Sequence, residues 1–179
     1  MKKKHIAIIL PNLKNGGAER VHVYLANEWV KMGYKVTFIL MKKKGELNAL
    51  LNKKINVIEA KTDKIRNFLI PLSKSFNKIK PDIAISAMWP LTSIAIISKL
   101  ISKHKFKIIL VEHCKLSGQY LKDINTNYFF VKLTMKLTYY FSDKIICVSE
   151  CVKKDIENFI KNKNEFIKVI YNPISFKNN

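Results

Sequence analysis

Two adjacent glycines, Gly16 and Gly17, follow the apolar run IAIIL and the turn residues Pro11 and Asn12. The chain has only five glycines, so a pair at one place marks a sharp turn or a close approach of backbone to a ligand. If a helix starts there, its free N–H groups and dipole favour an anion such as a phosphate. A plain strand-to-helix turn is the other reading. The spacing is not G-x-G-x-x-G, and the next apolar run ends in Met41-Lys42-Lys43, with no acidic residue for a ribose. That lysine cluster still leaves open the 2′-phosphate of NADP.

Three other places carry residues able to act on a ligand. Trp89, in Met88-Trp89-Pro90-Leu91, can stack on a sugar ring, cover a lipid chain, or simply pack a loop. Glu112 and His113 follow the run KIILV; a histidine there can donate to a hydroxyl or phosphate, or exchange a proton near neutral pH. Ser149 and Glu150 follow KIICV, where a helix N-cap and a favourable first-turn carboxylate account for both, and a ligand role at the same rim is also open. Cys114, Cys147 and Cys151 form no C-x-x-C pair and read as small hydrophobes of a reducing compartment. No metal-ligand cluster is visible, and no cofactor is expected.

The elements that hold these residues alternate. His5 to Leu10 reads as a buried strand. Ala18, Val21, Leu25, Trp29 and Met32 recur at helical spacing until Gly33, and KVTFILM (35–41) is strand-like. Further strands are expected at 56–60, 82–87, 107–112, 144–149 and 167–171. Helices are expected at 63–79, with Pro71 kinking or restarting it, and at 91–102, 123–141 and 150–161. About seven continuous apolar strands alternating with helices predict one α/β domain over 1–179: a doubly wound, Rossmann-like parallel sheet with helices on both faces. Ligands of such sheets bind outside the carboxyl ends of the strands, which is where all the residues above stand.

The charge is unusual. Thirty-three basic residues face thirteen acidic ones, for a net charge of +20, and only Arg20 and Arg66 are arginines. Such a surface attracts a phospholipid leaflet, a nucleic acid or a phosphorylated substrate. Residues 64–79 make an amphipathic basic helix in which Lys64, Arg66, Lys74 and Lys78 can meet anionic lipid. The alternative is an ordinary sheet-covering helix with a solvated face. The helix at 124–141 is apolar almost all round, so it is either deeply packed or part of a membrane-facing surface. No apolar run approaches the roughly 20 residues of a membrane span, and the start MKKKHIAIILPN is too short an apolar stretch for a signal peptide. A cytoplasmic protein, peripheral on the inner face of the cell membrane, is the expectation.

Four stretches in order, NGGAER, VEH, SDKIICVSECVKKDI and KVIYNPI, resemble the N-terminal, acceptor-side Rossmann domain of family-four, GT-B type retaining glycosyltransferases. The resemblance implies transfer of a sugar from a nucleotide-sugar donor to a lipid-linked or polysaccharide-precursor acceptor. It implies that Gly16 and Gly17 approach the donor diphosphate, that His113 contacts the donor sugar, and that no metal is required. It also implies a second, C-terminal donor-binding domain that these 179 residues do not carry, so the chain alone is expected to be inactive. An alternative is a non-catalytic, membrane-binding subunit of a split enzyme that recruits a separate donor half. A nucleic-acid binder rests on charge alone, without an aromatic stripe among the lysines, and no nucleic-acid partner is expected.

Overall fold

Strand β1 (His5–Leu10) has every side chain buried, as a central strand of a sheet covered on both faces requires. The computed structural model describes residues 3–117, 127–160 and 166–173. Helix α1 (Gly17–Lys31) carries the chain to β2 (Lys35–Leu40), followed by a 3-10 turn (Glu46–Leu50) and β3 (Asn56–Glu59). A 3-10 turn (Ile65–Phe68) leads into α2 (Leu69–Ile79) and β4 (Ile83–Ala87); α3 (Leu91–Leu100) and β5 (Lys107–Glu112) follow. Then come α4 (Tyr128–Thr138) with a 3-10 extension (Tyr139–Phe141), β6 (Lys144–Cys147), α5 (Glu150–Ile160) and β7 (Ile167–Val169).

All seven strands are parallel, in the order β3-β2-β1-β4-β5-β6-β7. The order reverses between β1 and β4, so the loops leaving those two strands diverge and open a crevice at their carboxyl ends. The sheet has one core on each face. Ile6, Ile8, Leu10, Phe38 and Leu40 pack under α1, while Ala7, Ile9, Ile39, Ile108 and Leu110 pack under α2 to α5. Helices therefore cover both faces as expected, but unequally. On the α1 side, Ile83, Ile109 and Ile146 of the later strands are only partly buried.

Local chemistry explains the departures from the expected elements. The helix anticipated over 63–79 is a 3-10 turn that restarts as α2 at Leu69. Pro71 then falls in the first turn of α2, where its missing N–H breaks no helix bond. The helix anticipated over 123–141 is described from Tyr128, its N-cap Asn127 accepting from the Phe129 N–H; residues 118–126 lie outside the described residues, as does Lys161. The 3-10 turn at 46–50 was not foreseen. It clasps the loop after β1: Leu13 N–H donates to the Lys44 carbonyl at 2.8 Å, and Leu47 N–H donates to the Leu13 carbonyl at 3.1 Å. Gly45, at φ +118°, permits that clasp, because a Cβ there would run into the backbone of Leu13 and Lys14.

Candidate functional site

Helix α1 begins at the switch point with no side chain to cap it. Gly16 is the N-cap, at φ −94° and ψ 161°, and Gly17 is the first helical residue. Neither needs a positive φ, so the turn itself does not demand glycine. A Cβ on Gly17 would meet nothing within 4 Å, and one on Gly16 would meet only the flexible Glu19 carboxylate. The fold thus leaves the helix N-terminus bare without needing to. The first-turn N–H groups have no side-chain cap, a start of the kind that accepts an anion, and the flexible Glu19 carboxylate lies beside Gly16.

Strand alternation sorts the two residues after KIILV. Glu112 continues the row of Ile108 and Leu110 and points toward α3 and α4. His113 continues the row of Ile109 and Val111 and points toward α1. Glu112 is fully buried. Its carboxylate accepts from the hydroxyls of Tyr139 and Thr92 (3.2 Å for the latter) and from the Trp89 N–H at 3.4 Å. Burial lifts its pKa to about 7, against which those hydrogen bonds pull downward. Glu112 therefore serves the interior as a joint between β5, α3 and the turn after α4. It does not reach the rim where a ligand role was expected.

His113 sits differently. Its ring packs against His22 of α1, with centroids 5.5 Å apart and planes at 59°. His22 is itself buried, and its Nδ1 lies 2.7 Å from the Ala18 carbonyl in the first turn. Among the described residues neither ring nitrogen of His113 has a hydrogen-bond partner, though both are shielded from solvent. Burial, then the neighbouring His22, hold its pKa down to about 4. At neutral pH the imidazole is uncharged, able to donate from one nitrogen and accept at the other. His22, His113, Val111, Ile146 and Tyr171 line a cavity of about 280 Å³ over the thinly covered part of the sheet. His22 was missed from sequence, where it reads as one more residue of a helical period.

The remaining candidates lie elsewhere. Trp89 is buried, its indole N–H donating to the Thr134 hydroxyl at 3.2 Å, so it packs its loop. One side of it still lines a groove of about 760 Å³ between α3 and α4, with Arg66 at the rim. Ser149 caps α5, accepting from the Val152 N–H at 3.2 Å, and Glu150 is exposed in the first turn beside Lys153 and Lys168. Lys64, Arg66, Lys74 and Lys78 are all exposed. The apolar stripe between them is not: Phe68, Leu72 and Phe76 pack into the core, so α2 is a sheet-covering helix. Cys147 is buried, Cys114 half-buried and Cys151 exposed. Among the described residues no group of three or more His, Cys, Asp or Glu could hold a metal, and no helix is long and apolar enough to cross a membrane.

A seven-stranded parallel sheet in this order, with a bare helix N-terminus at its switch point, defines a Rossmann-like α/β domain. The chain belongs to Glycosyltransferase Family 4, whose model matches residues 15–177. No curated protein matches the sequence. Solved structures do match the fold. The apo form of the lipopolysaccharide outer core galactosyltransferase WaaB superposes with a TM-score of 0.70 at 19% identity, over 97% of this chain and 47% of that one. Anabaena Alr3699/HepE in complex with UDP gives 0.69 at 18%, over 96% and 44%. Sucrose-phosphate synthase from Thermosynechococcus elongatus gives 0.69 at 11%, over 94% and 48%. The chain spans a little under half the length of these structures.

Proposed function

We propose that residues 1–179 form the acceptor-side half of a sugar transferase that takes a nucleotide-sugar donor and a lipid-linked or polysaccharide-precursor acceptor. The observation that carries this reading is His113, whose ring nitrogens have no partner among the described residues, packed against His22 of α1, the helix whose start has no side-chain cap. The bare N–H groups at Gly17 and Ala18 would receive the donor's diphosphate, whose charge grows as it leaves. His113 would hydrogen-bond a hydroxyl of the sugar being transferred. Because its pKa is depressed, it would orient the sugar as a neutral imidazole and not act as a cation. Family membership supports the chemistry, and the UDP held by the HepE structure supports a nucleotide donor.

One wall of such a site is not enough. A donor bound only by helix N–H groups and one imidazole lacks the second set of groups that would stabilise a leaving diphosphate. On this reading the 179 residues alone do not turn over, and a donor-binding half must close the cleft. The test is to assay transfer from a panel of nucleotide sugars with these residues alone and with a donor-binding half joined to them. Turnover restored only by the joined half, and lost in His113→Ala, supports the reading. Restored turnover indifferent to His113 overturns the assigned role.

A further inference from the structure

Helix α4 is apolar almost all round, and the structure divides its surface in two. Val131, Met135, Thr138 and Tyr139 are buried against α3 and α5. Phe129, Phe130, Leu133 and Leu137 face outward, and the following turn adds Tyr140 and Phe141. These are large exposures: 70% for Phe129, 55% for Phe130, 60% for Leu137 and 74% for Tyr140. Ile97 and Leu100 of α3 are exposed beside them, and together with Phe130 and Leu137 they wall the groove of about 760 Å³ that opens past Arg66. Monomeric soluble proteins rarely leave so many large apolar side chains exposed in one continuous patch.

The charge around this patch selects its occupant. Between residues 64 and 107, which include α2 and α3, nine basic side chains stand against one acidic one, Asp82. Between residues 127 and 142, which include α4, Lys132 and Lys136 face no acidic residue at all. The one carboxylate just beyond, Asp143, is tied to Lys99 at 2.8 Å. Exposed aromatic and aliphatic side chains on elements this rich in lysine match an anionic bilayer: the rings enter the headgroup boundary and the ammonium groups meet lipid phosphates. A second copy of the chain would bring its own lysines against these and be repelled.

We propose that the outer face of α4 with the turn Tyr139–Phe141 is a membrane-docking surface that inserts into an anionic bilayer, the groove past Arg66 opening toward the lipid. This places the docking face on α4, with Arg66 at the groove beside it. The inference does not require the sugar-transfer reading, since vesicle binding and turnover are separate readouts.

The test is co-sedimentation of the 179-residue chain with vesicles of phosphatidylcholine alone and of phosphatidylcholine with equal phosphatidylglycerol. Binding to the anionic vesicles is expected. The double variant Phe130→Ser with Leu137→Ser keeps the net charge and should weaken that binding by roughly tenfold or more, the scale of losing two inserted apolar side chains. Both side chains are exposed, so the melting temperature should hold. The Phe130→Trp variant reports insertion independently: brominated lipid should quench its fluorescence beyond that of the unsubstituted chain. No binding to anionic vesicles overturns the proposal. So does binding that the double variant leaves intact, which would assign it to lysines alone. So does a stable dimer that occludes the patch, or nucleic acid that binds more tightly than the vesicles at physiological salt.

Discussion

His22 and His113 meet ring to ring, with centroids 5.5 Å apart, although ninety-one positions separate them in the chain. The contact brings the end of β5 onto the first turns of α1, the same helix that Gly17 opens. It also leaves two shielded nitrogens on His113 unbonded among the described residues. An arrangement that costs the fold something and offers hydrogen bonds to a visitor has direct consequences.

Replacing His113 by leucine should not destabilise the domain. An unsatisfied buried polar group costs about 1–3 kcal/mol, so His113→Leu should raise the urea midpoint or leave it unchanged. In the two-domain protein the same change should lower kcat/KM by roughly tenfold, the scale of one lost hydrogen bond to the bound sugar. A lower urea midpoint would show that His113 serves the fold.

Glu112 makes a pH signature of opposite sign to the histidines. Its folded pKa of about 7 exceeds the ordinary 4.5, so the folded state holds the proton more tightly. The stability it contributes is full below pH 4.5 and is lost as pH rises through 7, by roughly tenfold in the folding equilibrium per pH unit. His113, at about 4 against 6.5, and His22, also lowered, contribute stability above pH 6.5 that is lost as pH falls toward 4. Urea unfolding of Glu112→Gln across pH 4.5 to 7 should therefore lose the alkaline decline and keep the acid one. An unchanged profile would mean that Glu112 is already ionised inside the fold.

Gly17→Ala separates stability from ligand contact. Nothing lies within 4 Å of the added methyl, and alanine gains up to about 1 kcal/mol over glycine within a helix. Thermal unfolding should shift upward or stay put. In the two-domain protein, nucleotide-sugar affinity by calorimetry should fall at least tenfold. Unimpaired affinity would remove the helix N-terminus from the site.

Gly45→Ala should do the reverse. Its φ of +118° and the backbone of Leu13 and Lys14 leave no place for a methyl, so a loss of roughly 2 kcal/mol or more is expected. The loop carrying residues 11–15 should loosen with it, seen as faster amide exchange at Leu13 and Leu47, whose N–H groups hold the clasp.

Much of this architecture was legible because parallel strands buried on both faces are continuous apolar runs, and HIAIIL, KVTFIL and KIILVE stand out as such. The residues at the strand ends followed from the βα alternation, but the switch point did not, because alternation leaves the strand order open. Single positions were harder. Which of Glu112 and His113 faces α1 is fixed by strand parity, which a motif such as VEH does not announce. The weight placed on Gly16 and Gly17 had no counterpart for Gly45, because its need for glycine comes from Leu13, thirty-two residues away. For the helix expected over 124–141 sequence left two readings open, deep packing or a membrane-facing surface; tertiary neighbours bury Val131 and Met135 and leave Phe129, Phe130, Leu133 and Leu137 exposed.

On the proposed reading these 179 residues supply one wall of a sugar-transfer site. Steady-state turnover of nucleotide-sugar donors by the isolated chain, set against the same residues joined to a donor-binding half, tests it most directly. No turnover above the uncatalysed rate is expected for the isolated chain, and His113-dependent turnover for the joined protein. Full turnover by the isolated 179 residues would contradict that reading.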